Sequence, residues 1–292
     1  MVQYNPKVWF SVIFHSYSRQ VMHTLRPALI FLLIFSSVVC LLFLEVLQWT
    51  EKDFHSTIAM HQLLGIVLGL FLVFRVNSAY DRWWEGRKLW GSLVNNTRNL
   101  SFKINAFLPE EDRENREWFA NMISNIPASL RDYLRGRKKI EVLDLTPELI
   151  ARAEKTRHVP NLLSSALYEK VQQLTQIGKI TSDQFWLLDR ELKEFSDIIG
   201  ACERIKNTPI PYSYAMYIKK FIFIYLITLP FGLVITEEYM TIPMVLLLAF
   251  VLLSVELIAE EIEDPFGTDI NDLPTDELSG KMRDWVREII LR

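Results

Sequence analysis

Residues 58–90 read IAMHQLLGIVLGLFLVFRVNSAYDRWWEGRKLW, and the rest of the chain is organised around them. From 56 to 74 no side chain is charged at neutral pH, apart from His61 when protonated. That length suits a helix crossing a bilayer. The sequence then continues without a break into Arg75, Asp81, Arg82, Glu85, Arg87 and Lys88. The pattern predicts one helix that leaves a membrane and runs on into water. Helical geometry puts Leu63, Val67 and Phe71 on one face, four residues apart. Gly65 and Gly69 fall on roughly the opposite side, as a Gly-x-x-x-Gly pair that lets a neighbouring helix approach closely in lipid. Two readings follow for the apolar row. Either it packs against other helices of the same subunit, or it lines a narrow pore that gates by dewetting.

The chain has 292 residues, 50% hydrophobic and 23% charged, with a formal charge of −3. A near-neutral balance without a basic block argues against a nucleic-acid partner. Positive mean hydropathy with an ordinary charged fraction points to membrane spans joined to a soluble part. Eighteen Phe and eight Trp suit interfacial belts. Cys40 lies in an apolar span and Cys202 in an expected soluble helix, so no disulfide is expected. The first long apolar run starts only after Arg26, with no cleavage signature after it, so no signal peptide is read.

In chain order, residues 1–26 read as a cytosolic surface helix near the membrane, and 27–44 as the first span. An acidic loop, 45–55, leads into the second span, so 27–79 holds transmembrane helices 1 and 2. Basic residues flank the start of the first span and the end of the second, which places the N-terminus in the cytoplasm. Residues 80–216 read as a cytosolic helical domain. Within it a helix over 110–135 is expected to be interrupted near Pro127. Thr181 and Gln184 make a capping box that opens a helix with Phe185, Leu188, Leu192, Phe195, Ile199 and Cys202 on one stripe. Residues 217–258 hold transmembrane helices 3 and 4. The last segment, 259–292, is a cytosolic acidic loop followed by an amphipathic helix. The fold class is therefore all-α, with four transmembrane helices, a cytosolic helical domain and both termini cytoplasmic.

Three stretches carry a family resemblance: AEEIEDPFGTDINDLP at 259–274, RWWEGRKLW at 82–90 and CERIKNTPIP at 202–211. Together they resemble the bestrophins, in their prokaryotic branch, and the likeness covers essentially the whole chain. It implies a homopentamer around one central pore lined by the second span, in a bacterial-type cell membrane. It puts the pore neck at Leu63, Val67 and Phe71 and a second constriction at the cytosolic exit near Ile180. Animal members carry larger residues at two of the neck positions, and a slip in register would bring in Ile66 and Leu70 instead. A residue-level alternative for Ile180 is a hydrophobic staple tucked under the helix that Thr181 caps. The acidic stretch resembles the calcium clasp of animal members, with Asp264, Asp269 and Asp272 at liganding positions. Calcium takes six to eight oxygens, which three carboxylates and backbone carbonyls can supply. The alternative is that protein cations such as Arg82 or Lys88 neutralise these aspartates.

The resemblance implies a passive channel for small monovalent ions, chloride-type by family, with a sodium-selective channel as the alternative. Its partners are other copies of itself, membrane lipid and the permeant ions. A metal-dependent membrane enzyme is disfavoured, because five His residues form no H-E-x-x-H and no G-x-S-x-G elbow occurs. No cofactor is required on this reading, calcium aside. A non-conducting pentameric scaffold is the third reading.

Overall fold

The computed structural model describes residues 16–50 and 58–292, and among them every regular element is helical. Most of the expected N-terminal surface helix (residues 1–15), and residues 51–57 of the acidic loop, lie outside the described residues. In chain order the helices are α1 (Ser16–Leu41), α2 (Ile58–Phe107), α3 (Arg113–Leu134), α4 (Pro147–Lys155) and α5 (Val159–Gln176). They continue as α6 (Ser182–Asn207), α7 (Tyr212–Glu237), α8 (Thr241–Glu263) and α9 (Thr275–Ile290). The chain divides into two compact units.

The first unit takes the described part of Val2–Arg82 together with Pro209–Glu263. Among the described residues three stretches are long and apolar enough to cross a membrane: Val21–Val46, Ile58–Phe107 and Tyr212–Glu263. The third holds both α7 and α8, joined by a tight turn at Glu238, whose φ is +48°. α1 begins at Ser16 and carries Pro27 inside it. Residues 16–26 therefore continue into the span as one rod, rather than forming a separate surface helix. An interior proline removes one ladder bond, and the apolar turns that follow it keep the helix going. The unit's core joins Leu32 of α1, Leu68 and Leu72 of α2, Ile222, Leu226 and Leu229 of α7, and Val245 and Ala249 of α8. Outside that core many large apolar side chains are exposed, among them Ile30, Leu33, Ile34, Val38, Phe223 and Leu247. In lipid such a surface is at no disadvantage, because only backbone polar groups must be satisfied internally and helices do that.

The second unit takes Trp83–Thr208 and Asp264–Arg292. Its core is built from one stripe of each helix: Trp90, Leu93, Leu100 and Ile104 of α2, Phe119, Ile123 and Ile126 of α3, and Leu163 and Leu167 of α5. Leu188, Leu192, Phe195, Ile199 and Cys202 of α6 complete it with Met282, Val286 and Ile290 of α9. The α6 stripe is the one its sequence spacing predicts. Its capping box forms as expected: Gln184 N–H donates to Thr181 Oγ1 at 3.2 Å, and Thr181 N–H donates to Gln184 Oε1 at 2.9 Å. Pro127 does not interrupt α3, which runs through it with the proline buried. Burial of the ring offsets the one bond it removes. Cys40 and Cys202 are both free thiols. Burial pushes the Cys202 thiol up to about 12, so it stays protonated and inert.

Candidate functional site

Within α2, Leu68, Leu72, Arg75 and Ala79 recur at steps of four and three and are all buried. They form the face packed in the first unit. Gly65 lies near this side: a methyl group added there would sit 3.1 Å from Tyr225 Oη, so α7 does approach closely at this point. Gly69 has open space around it, so only the first glycine of the pair makes a close helix contact.

The opposite face is bare. Leu63 is 60% exposed, Ile66 73% and Val67 38%, and Leu70, Val73 and Phe74 are exposed with them. Phe71 is half-buried on the margin of this face, with its ring 5.7 Å from Tyr217 and 6.3 Å from Phe221 of α7. Leu63 and Val67 thus share an open surface, while Phe71 leans towards α7. Ile66 and Leu70 belong to the same surface. The chain presents a broad apolar face rather than a single row.

Behind that face sits a buried ion cluster. Arg75, 1% exposed, reaches Glu263 Oε2 through Nη1 at 2.8 Å and Glu256 Oε1 through Nε at 3.5 Å. The other oxygen of Glu263 accepts from Ile210 N–H at 2.8 Å, and the Glu263 carbonyl accepts from Arg82 Nε at 3.1 Å. One arginine therefore ties α2 to the end of α8 through two carboxylates. Removing Arg75 would leave both carboxylates without their nearest cation. Sequence reasoning passed over Arg75, because a cation at the end of an apolar run reads as a membrane boundary.

In the second unit the acidic loop is held from several sides. The Asp264 carboxylate pairs with Lys206 of α6. Asp272 is buried, and its Oδ2 accepts from Asp269 N–H at 2.6 Å, so it closes the loop on itself. Leu273 N–H donates to the Pro265 carbonyl at 2.9 Å. Arg135 of α3 donates to the carbonyls of Phe266 and Gly267 at 3.1 and 3.0 Å. It also pairs with Asp276 at 2.8 Å. Trp83 Nε1–H donates to the Asn271 carbonyl at 2.9 Å. Phe266 is driven into the core against Gly86, where an added methyl group would meet Pro265 and Phe266 at 3.0–3.2 Å. At Gly267 a methyl group would lie 2.6 Å from Asp272 Oδ2, so only glycine lets that carboxylate come so near.

The three aspartates do not converge. Asp269 is exposed, Asp264 faces a lysine and Asp272 faces a backbone N–H. Among the described residues no three His, Cys, Asp or Glu side chains gather as metal ligands. The cations that hold the loop are Lys206 and Arg135, not the expected Lys88. Arg82 donates to the Glu263 carbonyl.

Ile180 also departs from expectation. It is 1% exposed and part of the core of the second unit, just ahead of the α6 cap. A side chain buried in its own subunit cannot form a pore ring, and its position is that of the tucked alternative. Ile177, three residues earlier, is exposed instead.

The model of the family described as "Bacterial/Fungal Bestrophin protein" matches residues 1–288. The chain is 33% identical over 287 residues to a voltage-dependent anion channel-forming protein of Ralstonia nicotianae, covering 97% of this chain and 92% of that one. It is 34% identical over 236 residues to the voltage-dependent anion channel-forming protein YneE of Escherichia coli K12, covering 80% and 77%. Its fold matches the crystal structure of a bacterial bestrophin homolog from Klebsiella pneumoniae with a TM-score of 0.83 and 27% identity, over 91% of this chain and 99% of that one. The chain belongs to the bacterial and fungal bestrophin family.

Proposed function

We propose that the protein is a bestrophin-type channel that passes small anions passively across the cell membrane, as a homopentamer around one pore. The observation that carries this reading is the bare apolar face of α2, with Leu63, Ile66 and Val67 open within a stretch of spanning length. A single chain cannot close a pore with one face, and five copies of that face can. The two relatives named as anion channel-forming proteins support the ion's sign.

The neck on this reading is the ring of Leu63 and Val67, with Phe71 at its inner margin. A narrow apolar ring expels water unless its radius widens, so it gates without a fixed charge. Such a ring does not choose an ion's sign, and charged groups elsewhere along the pathway supply the preference. Both termini are cytoplasmic on the positive-inside argument. The loop 264–274 acts as a brace held by Lys206 and Arg135.

Purified protein in planar bilayers with asymmetric NaCl tests the proposal. The reversal potential should move towards the chloride equilibrium value, and light scattering in mild detergent should give five copies. A reversal potential moving towards sodium overturns the anion assignment. The absence of any current from folded pentamers overturns the channel.

A further inference from the structure

A groove of about 690 Å³ runs between α1 and α8 in the first unit. Its walls are apolar, with Ile30, Leu33, Leu247 and Phe250 among them, and one end carries His23 and Arg26. Among the described residues no acidic side chain lines it. Neither Arg26 nor His23 makes an ion pair or side-chain hydrogen bond among the described residues, and both are exposed. An arginine without a counter-ion beside an apolar trough is charge-complementary to an anion that brings its own hydrocarbon. From Met22 to Leu33 the lining spans eleven helical steps, roughly 16 Å at 1.5 Å per residue. That is about half the ~30 Å hydrocarbon thickness of a bilayer, the depth of one leaflet.

We infer that this groove is a binding site for an anionic phospholipid. An acyl chain lies along Ile30, Leu33, Leu247 and Phe250, and the phosphate sits against the Arg26 guanidinium with His23 beside it. A neutral lipid has no use for the arginine, and a free anion has none for the trough. The inference needs the chain to sit in a bilayer but does not depend on conduction, so the test reads lipid and not current.

The protein is equilibrated in detergent with equal phosphatidylglycerol and phosphatidylcholine, repurified, and its retained lipid measured by mass spectrometry. Phosphatidylglycerol should be enriched about fivefold, the Boltzmann equivalent of the ~1 kcal/mol that one cation contributes near an anionic lipid. Arg26→Gln should bring the ratio close to one, Arg26→Lys should retain most of the enrichment, and Ile30→Trp should lower retention of both lipids by filling the trough. High salt should erase the preference in the unmodified protein, which serves as a second arm if Arg26→Gln fails to fold. Equal retention of the two lipids, or enrichment indifferent to Arg26 and to salt, overturns the site. So does displacement by soluble glycerophosphate alone, which would make it a free-anion site. A loss of assembly in Arg26→Gln with lipid preference intact would put a second copy of the chain on this face.

Discussion

α2 is two helices in one. Its first half buries Leu68, Leu72, Arg75 and Ala79, and its second half buries Trp90, Leu93, Thr97, Leu100 and Ile104. Both stripes recur at steps of three and four, so the packing geometry is the same. The remaining faces are opposites. The first half shows Leu63, Ile66, Leu70 and Phe74 to its surroundings, and the second shows Arg87, Lys88, Ser92, Asn95 and Asn99. The contents of the stripes differ too: the first buries a charge and the second does not. The exposed face of a helix therefore names its solvent, while the buried face names only its neighbours. An apolar exposed face says lipid or pore, and a polar one says water.

The largest test of this contrast is the charge in the first half. Arg75→Met should destabilise the protein by about 3–5 kcal/mol, because it leaves the buried Glu256 and the half-buried Glu263 without their arginine. Adding Glu256→Gln and Glu263→Gln should recover part of the loss. Thermal unfolding in detergent reads both. A melting temperature unchanged by Arg75→Met would mean the cluster is solvated and the first half buries no real charge.

In the second unit, Ile180→Ala should cost about 2–5 kcal/mol, as for other buried aliphatic truncations, and leave ion permeability ratios alone. Changed ratios with stability intact would return Ile180 to a pore ring. The brace loop separates next. Asp272→Ala should cost about 1–3 kcal/mol, because the buried Asp269 N–H bond is lost, while Asp269→Ala should stay within about 0.5 kcal/mol as an exposed change. Calcium should not raise the melting temperature of either. A calcium-dependent rise that Asp269→Ala abolishes would reinstate the clasp. The cap is a smaller effect than the core and loop truncations: Thr181→Ala should cost about 1 kcal/mol, and calorimetry showing no change would mean α6 is held by packing alone.

Much of this was legible in the residues. The spanning half of α2 shows as an uncharged run, the α6 stripe as a spacing and its start as Thr181 with Gln184. These are local signals, and local geometry decides them. What stayed hidden depends on distant partners. Arg75 pairs with acids about 180 residues later, and nothing in its own neighbourhood announces that. Asp264, Asp269 and Asp272 look alike in sequence, yet Lys206 claims one, a backbone N–H another, and the third stays exposed. Ile180 beside a turn is open to two readings, and only the packing around it separates them. Pro127 reads as a break because local propensity disfavours it, and its burial within α3 overrides that.

The central claim is that the bare face of α2 lines the pore. Leu63→Ala, Val67→Ala and Phe71→Ala combined, measured as anion flux from proteoliposomes at equal protein content, tests it most directly. The account predicts a folded pentamer that conducts more than its parent, because a wider and less apolar neck holds water more readily. A folded triple variant that conducts like the parent would contradict it, and would mean the face packs against neighbouring helices instead.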